Sequence, residues 1–189
     1  MKLILGSQSK GRRGVLEKMG YTFAAMHADI DEQAIRCDDP QQLTLAIANA
    51  KADALLSKIA EPAILLTTDT VVVCDGKILE KPKDADEARQ CLRKYANHPA
   101  ETVTAVVAVN TATKKRAEGV DVSRVWLRPI PEDVIEKIID SGEVFTWAGA
   151  FAVQHPLVAP LIDRIEGTLE SVIGLPVELT KRLIGEVQL

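Results

Sequence analysis

The sequence predicts an α/β fold in which a mixed β-sheet is flanked by helices. Short apolar, β-branched segments alternate with longer amphipathic segments along the 189 residues, which is typical of strands that alternate with helices. The pair Asp75-Gly76 lies between two apolar runs and indicates a β-hairpin, whose two strands are antiparallel. The two observations together favour a sheet with both parallel and antiparallel neighbours over a purely parallel one.

The first third of the chain carries clear start and stop signals. Residues 2–6 are a short apolar strand, and residues 9–19 follow as a helix that ends before Gly20, the residue type preferred just after a helix. Residues 21–26 form a second strand. Asp38 or Asp39 before Pro40 begins a long helix that reaches about residue 59.

The rest of the chain continues the alternation. Apolar strands are predicted at 64–66 and 71–73, and the hairpin turn leads into 77–79. Asp84 with Glu87 three residues later forms a capping box for a helix to about Tyr95. The remaining elements are a strand pair at 102–109 and 121–127, a helix from Pro131 to 141–142, short apolar segments at 151–153 and 157–162, and a last helix over 176–187.

Composition limits the classes of function. Hydrophobic residues make up 47% and charged residues 26% of the chain, as in globular proteins, and the net charge is −4. We therefore expect no general attraction for nucleic acid, and no apolar run is long enough for a membrane span. The three cysteines have no zinc-ligand spacing, and because they are odd in number and far apart they imply no disulfide framework, which favours a reducing, cytoplasmic setting. We expect residues 1–189 to form a single domain.

The segment from Gly6 to Arg13 indicates an anion-binding site. A strand breaks at Gly6 and turns into a helix, whose first backbone N–H groups favour an anion. Ser7, Ser9 and Arg12 add side-chain donors there. The alternative is a surface turn in which Ser9 only caps the helix.

Three further residues stand out against their surroundings. Lys51 lies beside the apolar stripe of the long helix, so its ammonium either extends outward to solvent or points into a cleft. Asp69 interrupts an apolar run, either as part of a turn between two strands or as a metal ligand or general base at a strand end. Lys81 precedes a proline, which favours an extended backbone at the lysine. This either fixes the direction of the Lys81 side chain or leaves it as a solvated lysine of a connecting loop.

A cluster of carboxylates follows the second strand. Asp29, Asp31 and Glu32 fall within four residues. They are either a solvated group at the start of a helix or part of a magnesium site, since Mg²⁺ takes carboxylate, water and phosphate oxygens. Phosphoanhydride hydrolysis uses both kinds of group: cations bind the phosphates, and carboxylates bind the metal.

Taken in order, these segments resemble the Maf family of nucleoside triphosphate pyrophosphatases. The resemblance covers nearly the whole chain. The matching motifs are Ser7-x-Ser9-x-x-Arg12, Asp29-x-Asp31-Glu32, Ala48-x-x-Lys51-Ala52, Asp69-Thr70-Val71-Val72, Lys81-Pro82, Ala148-Gly149 with Gln154 close behind, and Gly174-Leu175-Pro176. The segment 153–156 and the Glu80 before Lys81 are similar to a eukaryotic branch of the family.

The resemblance implies a fold and a reaction. The fold is an elongated mixed sheet with two lobes around a central cleft, similar to inosine triphosphate pyrophosphatases. The reaction is hydrolysis of the α–β phosphoanhydride to a nucleoside monophosphate and pyrophosphate, with Mg²⁺ or Mn²⁺ as cofactor. Asp69 is then the catalytic carboxylate and Glu32 shares the metal, while Lys51, Lys81 and Arg12 neutralise the triphosphate and Ser7 and Ser9 bind it.

The resemblance also bears on the substrate. Family members that prefer dTTP and UTP carry Arg, Thr and Gln at three positions, which here are Gly11, Thr70 and Gln154. Thr70 and Gln154 match this pattern and favour a pyrimidine nucleotide, whereas Gly11 replaces the arginine of those members. The alternatives are a 7-methyl-GTP pyrophosphatase and a regulator of septum formation that binds nucleotide without turnover. A homodimer is implied by the resemblance alone.

Overall fold

Strands and helices alternate along the chain, as the sequence predicts. The structure is a computed structural model and describes residues 2–188. Within that range the strands are β1 (Lys2–Leu5), β2 (Phe23–Ala25), β3 (Ala63–Cys74), β4 (Lys77–Leu79), β5 (Ala100–Asn110), β6 (Arg116–Leu127) and β7 (Ile162–Glu166). The α-helices are α1 (Lys10–Lys18), α2 (Pro40–Leu56), α3 (Ala85–Lys94), α4 (Glu132–Asp140), α5 (Leu169–Ile173) and α6 (Val177–Gln188).

The strands form one mixed sheet, which confirms the predicted fold class. Their order is β2-β1-β3-β5-β6-β7, and β4 pairs with β3 off this path. β1 runs parallel to both β2 and β3. The hairpin strand β4 is antiparallel to β3, and β7 is antiparallel to β6.

The ends of α1 are set by local chemistry. The Ser9 hydroxyl accepts from the backbone N–H of Arg12, so Ser9 is the N-cap. At the other end Gly20 has φ +82°. Its N–H donates to the Glu17 carbonyl, and that of Tyr21 donates to the Leu16 carbonyl. This pair of bonds is the Schellman motif, which satisfies carbonyl groups that the helix leaves open.

β3 corrects a prediction about the region around Asp69. The sequence indicates separate strands at 64–66 and 71–73, with Asp69 at a strand end or in a turn. The structure has a single strand of twelve residues in which Asp69 lies well inside and is 7% exposed. A carboxylate is tolerated there because it has a charged partner, which is described below.

The hairpin after β3 forms as predicted. Asp75 and Gly76 both have positive φ, +52° and +68°. A tight two-residue hairpin turn of this kind requires positive φ at both positions, which is why Asp-Gly is favoured there. α3 then begins after Asp84, whose carboxylate accepts from the N–H of Glu87.

The segment after α4 differs most from the sequence prediction. Short 3₁₀ turns occupy much of 143–161, and the next strand is β7 at Ile162–Glu166. Its burial pattern shows no buried position. An exposed strand with the sequence Ile-Asp-Arg-Ile-Glu lacks the apolar run that indicates a strand, and so the pattern did not reveal it.

The chain divides into two compact units. The first takes the chain up to Thr70, residues 104–121 and the chain from Ile173 onward. Its sheet is covered on both faces. Leu5, Leu16 and Leu183 belong to a cluster with α1 and α6 on one face, whereas Ile4 and Leu55 pack with α2 on the other.

The second unit takes residues 71–103 and 122–172. In it, α3 packs against α4 and the 3₁₀ turn at Ala148–Ala150. Tyr95, 1% exposed, donates its hydroxyl to the Gly149 carbonyl at 2.6 Å. No α-helix within residues 2–188 combines the length and apolar character needed to cross a membrane.

Candidate active site

The first unit contains a polar cavity of about 260 Å³. Most of its lining comes from residues that the sequence had singled out for phosphate or metal chemistry. These are Ser7, Ser9, Arg12, Glu32, Lys51 and Asp69. Gly6, Gln8, His27 and Ala28 complete the lining.

The parallel pairing of β1 and β2 explains why distant segments meet here. Leu3 to Leu5 pair in register with Phe23 to Ala25, so both strands end at the same edge of the sheet. Ser7, Gln8 and Ser9 follow β1, and His27 follows β2. Polar residues that follow neighbouring parallel strands are the usual place for a ligand site in α/β proteins.

A buried lysine joins two carboxylates at the centre of the site. Lys51 Nζ lies 2.8 Å from Asp69 Oδ1 and 3.1 Å from Glu32 Oε1. The side chains of Lys51 and Asp69 are each 9% exposed, whereas that of Glu32 is 49% exposed. Both carboxylates therefore converge on one cation, with Glu32 on the open side.

The structure decides between the two interpretations of Lys51. Its ammonium does not extend outward to solvent: it points from α2 into the cavity and contacts Asp69 of β3. α2 and β3 are also tied together nearby, where the Thr67 hydroxyl donates to the Ala48 carbonyl at 2.7 Å. Thr67 and Asp69 are two residues apart and so share one face of the strand.

Of the three clustered carboxylates, only Glu32 lines the cavity. Asp31 caps the short 3₁₀ turn that starts at Glu32, and its carboxylate accepts from the Gln33 N–H at 3.1 Å. Asp29 is exposed. The cluster thus combines a structural cap with one carboxylate that faces the site.

The loop after β1 presents hydroxyls and a guanidinium to the same cavity. Ser7 Oγ accepts from the Ser9 N–H at 3.2 Å and from Arg12 Nη1 at 3.4 Å. Burial lowers the pKa of Arg12, while the nearby Asp69 and Glu32 carboxylates act in the opposite direction. Arginine nevertheless stays protonated in proteins, so Arg12 brings a permanent positive charge.

The donor set is compatible with Mg²⁺. Two carboxylates, Asp69 and Glu32, both contact the Lys51 ammonium, so the negative charge of this part of the cavity attracts a cation. Mg²⁺ commonly binds through one or two carboxylates, with water and substrate phosphate filling the other positions. Within residues 2–188 no group of three or more His, Cys, Asp or Glu side chains is placed to hold a metal, so a metal here would depend on phosphate and water ligands.

The other predicted site residues lie elsewhere. Thr70 follows Asp69 in β3 but points to the opposite face, where its hydroxyl accepts from Arg12. Gly11 lies in the first turn of α1. Lys81 and Gln154 are exposed residues of the second unit.

Sequence reasoning missed two polar residues of the cavity, Gln8 and His27. Gln8 lies inside the motif that indicated the site, so its position was available. His27 belongs to no motif, and the three histidines of the chain are far apart in the sequence. The signal that could have found it was its place two residues after β2, once β1 and β2 are taken as parallel neighbours.

A comparison with protein families agrees with the resemblance drawn from the motifs. The family described as Maf-like protein matches residues 2–187. The chain belongs to the Maf family. This match spans nearly all of the residues from which the resemblance was drawn, from the loop after β1 to α6.

Curated relatives of this Maf chain carry two different names. A protein of Dictyostelium discoideum named 7-methyl-GTP pyrophosphatase is 44% identical over 192 residues, which cover 98% of this chain and 96% of the relative. A protein of Vibrio vulnificus (strain YJ016) named dTTP/UTP pyrophosphatase is 34% identical over 185 residues, 98% of each chain.

A solved structure was also matched. It is a nucleoside-triphosphatase, dITP/XTP pyrophosphatase, from Mycobacterium abscessus, with 14% sequence identity and a TM-score of 0.42. The match covers 69% of this chain and 76% of that chain.

Proposed function

We propose that this Maf chain is a nucleoside triphosphate pyrophosphatase, a hydrolase of the α–β phosphoanhydride bond. The observation that carries the proposal is the buried Asp69–Lys51 pair, which shares one cavity with Glu32 and with the loop that bears Ser7, Ser9 and Arg12. A carboxylate next to cations and hydroxyl donors is what water activation beside a polyphosphate requires.

The cations and hydroxyls of the cavity act on the phosphate chain. Arg12 and Lys51 offset its negative charge, and Ser7 and Ser9 donate hydrogen bonds to its oxygens. As the α–β bond breaks, charge accumulates on the departing pyrophosphate, and fixed cations stabilise that state more than the starting one. The resemblance assigns a similar role to Lys81.

Asp69 is the general base of the proposed reaction. It accepts a proton from water as the water oxygen bonds to phosphorus at the α–β linkage. The bond between that phosphorus and the bridging oxygen breaks, and the products are a nucleoside monophosphate and pyrophosphate. The contact with the Lys51 ammonium, 2.8 Å away, holds the Asp69 carboxylate in one orientation inside the cavity.

Glu32 and Asp69 are the residues that would hold Mg²⁺ or Mn²⁺ in this site. When bound, such a cation neutralises phosphate charge and makes a coordinated water easier to deprotonate. The carboxylates would otherwise repel a polyphosphate. Their presence in the cavity therefore favours a hydrolase over a regulator that binds nucleotide without turnover.

Pyrimidine nucleotides, dTTP and UTP, are the first candidate substrates. The resemblance supports them through Thr70 and Gln154, which match the family members that prefer these nucleotides. The relative named dTTP/UTP pyrophosphatase, which is 34% identical to this chain, also supports them.

A second candidate is 7-methyl-GTP. The relative with that name is 44% identical over almost the whole length of both chains. Gly11 matches neither group of family members, since the pyrimidine-specific members carry arginine at this position and the 7-methyl-GTP members tend to carry tryptophan.

The proposal extends to the setting of the enzyme. The resemblance implies a homodimer whose substrate is a free nucleotide, and the cysteine pattern favours the cytoplasm. The net charge of −4 gives the surface no general attraction for nucleic acid. Light scattering on the purified chain tests the dimer, and a mass of one chain would contradict it.

The deciding experiment measures pyrophosphate release with Mg²⁺ across a panel of nucleotides. The panel contains the common NTPs and dNTPs, 7-methyl-GTP, 5-methyl-UTP and inosine triphosphate. Highest kcat/KM with UTP or dTTP supports the pyrimidine assignment, and highest kcat/KM with 7-methyl-GTP supports the second candidate. No release of pyrophosphate from any member, by folded protein, would overturn the proposed hydrolase.

A further inference from the structure

The guanidinium of Arg12 is held by four protein acceptors. Nε donates to the Gly174 carbonyl at 3.1 Å, and Nη2 donates to Thr70 Oγ1 at 3.0 Å. Nη1 makes two longer contacts of 3.4 Å, with Ser7 Oγ and the Thr68 carbonyl. Arginine has five N–H groups in a rigid plane, so these contacts fix the orientation of a side chain that also lines the cavity.

Thr70 reaches the cavity through Arg12. Neighbouring residues in β3 point to opposite faces of the sheet. Asp69 faces α2, where it meets Lys51, and Thr70 faces the other way. The lining of the cavity includes Arg12 and Asp69 but not Thr70. Any effect of Thr70 on a ligand in this cavity therefore passes through the guanidinium that it holds.

The Thr70 hydroxyl has a second partner in Thr104 of the neighbouring strand β5. The two Oγ1 atoms are 3.0 Å apart, and Thr104 is 0% exposed. Because arginine only donates, the Thr70 oxygen is the acceptor towards Arg12, and its hydroxyl has a single hydrogen to place. Either hydroxyl can be the donor in the contact with Thr104, and in both cases the contact fixes the position of the Thr70 oxygen that accepts from Arg12 Nη2.

Close packing allows Arg12 little freedom to adopt another position. Gly174 has φ +104°. A Cβ atom at this residue would lie 2.8 Å from Thr70 Oγ1 and 2.9 Å from Arg12 Nε, closer than real Cβ contacts come. The absence of a side chain at Gly174 is what lets the threonine and the arginine meet against its carbonyl.

We infer that Thr104 is a positioning residue of the active site, which acts on the substrate through Thr70 and Arg12. The inference rests on the proposed function, since it concerns how the phosphate-binding cation is aligned. Without the Thr104 hydroxyl, the Thr70 oxygen loses the contact that fixes it opposite Nη2, so the guanidinium of Arg12 is held less firmly. The phosphates are common to all nucleotides, so the loss is the same for every base.

The test compares three single variants. Thr104→Val removes the hydroxyl at nearly constant volume and lowers kcat/KM by about 3- to 10-fold, the effect of one lost hydrogen bond. Thr104→Ser restores the hydroxyl and stays within about twofold of the parent chain. Thr102→Val is the matched control, because Thr102 is 1% exposed in the same strand and its hydroxyl donates to the Ser123 carbonyl. It leaves kcat/KM within about twofold.

A double-mutant cycle separates positioning from general damage to the fold. In an Arg12→Lys background the guanidinium is gone, so Thr104→Val changes kcat/KM by less than about twofold. An equal loss in both backgrounds would overturn the inference, as would no loss in the single variant. The ratio of kcat/KM between UTP and 7-methyl-GTP stays constant in Thr104→Val, whereas a shift in this ratio would place Thr104 in base recognition instead.

A binding measurement keeps the inference separate from the proposed function. The probe is an α,β-methylene analogue of UTP, titrated by calorimetry in Mg²⁺. Weaker binding to Thr104→Val, with normal binding to Thr104→Ser and Thr102→Val, supports the inference even if the parent chain releases no pyrophosphate. Equal binding to all variants would overturn the inference. The proposed function would then still be tested separately, by pyrophosphate release from the parent chain.

Discussion

Asp69 is an acidic side chain buried in the middle of a strand, and its position is acceptable because it has a charged partner. It is 7% exposed, and the Lys51 ammonium lies 2.8 Å away. Burial of an unpaired carboxylate is strongly unfavourable. A buried ion pair of this kind adds little net stability compared with an apolar pair, so its placement in a polar cavity fits chemistry better than stability.

Replacement of the Asp69 carboxylate by an amide isolates its chemical role. We expect Asp69→Asn to lower kcat by at least about 100-fold, because the amide cannot accept the proton from water. Nucleotide affinity stays largely intact, since Ser7, Ser9 and Arg12 are untouched. Steady-state kinetics and calorimetry measure the two quantities. Asp53→Asn, at an exposed carboxylate of α2 that pairs with Arg116, is the control, and near-normal turnover in Asp69→Asn would refute the role.

Lys51 leads to a second prediction, about stability and metal. Lys51→Met keeps the length of the side chain but leaves the buried Asp69 carboxylate unpaired, which costs about 3–5 kcal/mol of the free energy of unfolding. Mn²⁺ then raises the melting temperature of this variant more than that of the parent chain, because the cation replaces the missing ammonium. Thermal denaturation with and without Mn²⁺ measures this.

The exposed Lys137 of α4, which pairs with Asp133, provides the control variant Lys137→Met. It should melt close to the parent chain and respond equally to Mn²⁺. A melting temperature of Lys51→Met that Mn²⁺ leaves unchanged would show that Asp69 and Glu32 do not attract a cation together.

At the scale of elements, local signals predicted the helix ends better than they predicted the strands. Ser9, Gly20 and Asp84 each act within three or four residues of themselves, and each forms the predicted cap. The continuity of β3 through Asp69 depends on Lys51, which is eighteen residues earlier in the chain. No local pattern contains that contact, so the sequence alone left Lys51 and Asp69 with two interpretations each.

The loop before α6 carries the third prediction. Gly174→Ala adds a Cβ atom where φ is +104° and where Thr70 and Arg12 approach within 3 Å of it. We expect a loss of about 1–3 kcal/mol in the free energy of unfolding from the strained backbone. A lower kcat/KM follows as well, because Arg12 is displaced. Chemical denaturation and the pyrophosphate assay measure the two effects.

Gly20→Ala is the matched control for this substitution. Gly20 has φ +82°, and a Cβ atom there would meet nothing within 4 Å. An alanine at residue 20 therefore strains the backbone about as much as one at residue 174, but it displaces no residue of the active site. Equal kcat/KM in the two glycine variants would mean that the position of Arg12 does not matter for turnover.

The α3–α4 contact gives a pH-dependent prediction. Arg89 holds both carboxylate oxygens of Glu136, at 2.7 and 2.9 Å. This hydrogen bonding lowers the pKa of Glu136. A carboxylate with a lowered pKa in the folded state stabilises the fold above its unfolded pKa of about 4.3. That stabilisation is lost as the pH falls through the folded value.

Glu136→Gln should therefore melt below the parent chain near pH 7, and the gap should close as the pH falls below about 4. Added salt narrows the gap at neutral pH, because the pair is partly exposed. Melting curves between pH 3 and pH 7 test this, with Glu143→Gln as a control outside both helices. A gap that widens in acid would contradict the assigned sign.

At the scale of the whole molecule, the charges of the chain and of the substrate predict that turnover depends on a divalent metal ion. The chain has a net charge of −4, from 23 Lys and Arg against 27 Asp and Glu. A nucleoside triphosphate is itself highly negative. The cavity offers Arg12 and Lys51, but Lys51 is already paired with Asp69 and Glu32. A bound divalent cation would supply the positive charge that these residues leave unmet.

Removal of divalent cations is therefore expected to abolish pyrophosphate release. Excess EDTA should reduce turnover to the background rate, and Mg²⁺ or Mn²⁺ added beyond the chelator should restore it. Because carboxylate and phosphate oxygens would favour a small divalent cation, K⁺ at the same ionic strength should not replace it. Circular dichroism in EDTA checks that the fold persists. Full turnover in excess chelator would remove the metal role from Glu32 and Asp69 and leave Arg12 and Lys51 to neutralise the phosphates alone.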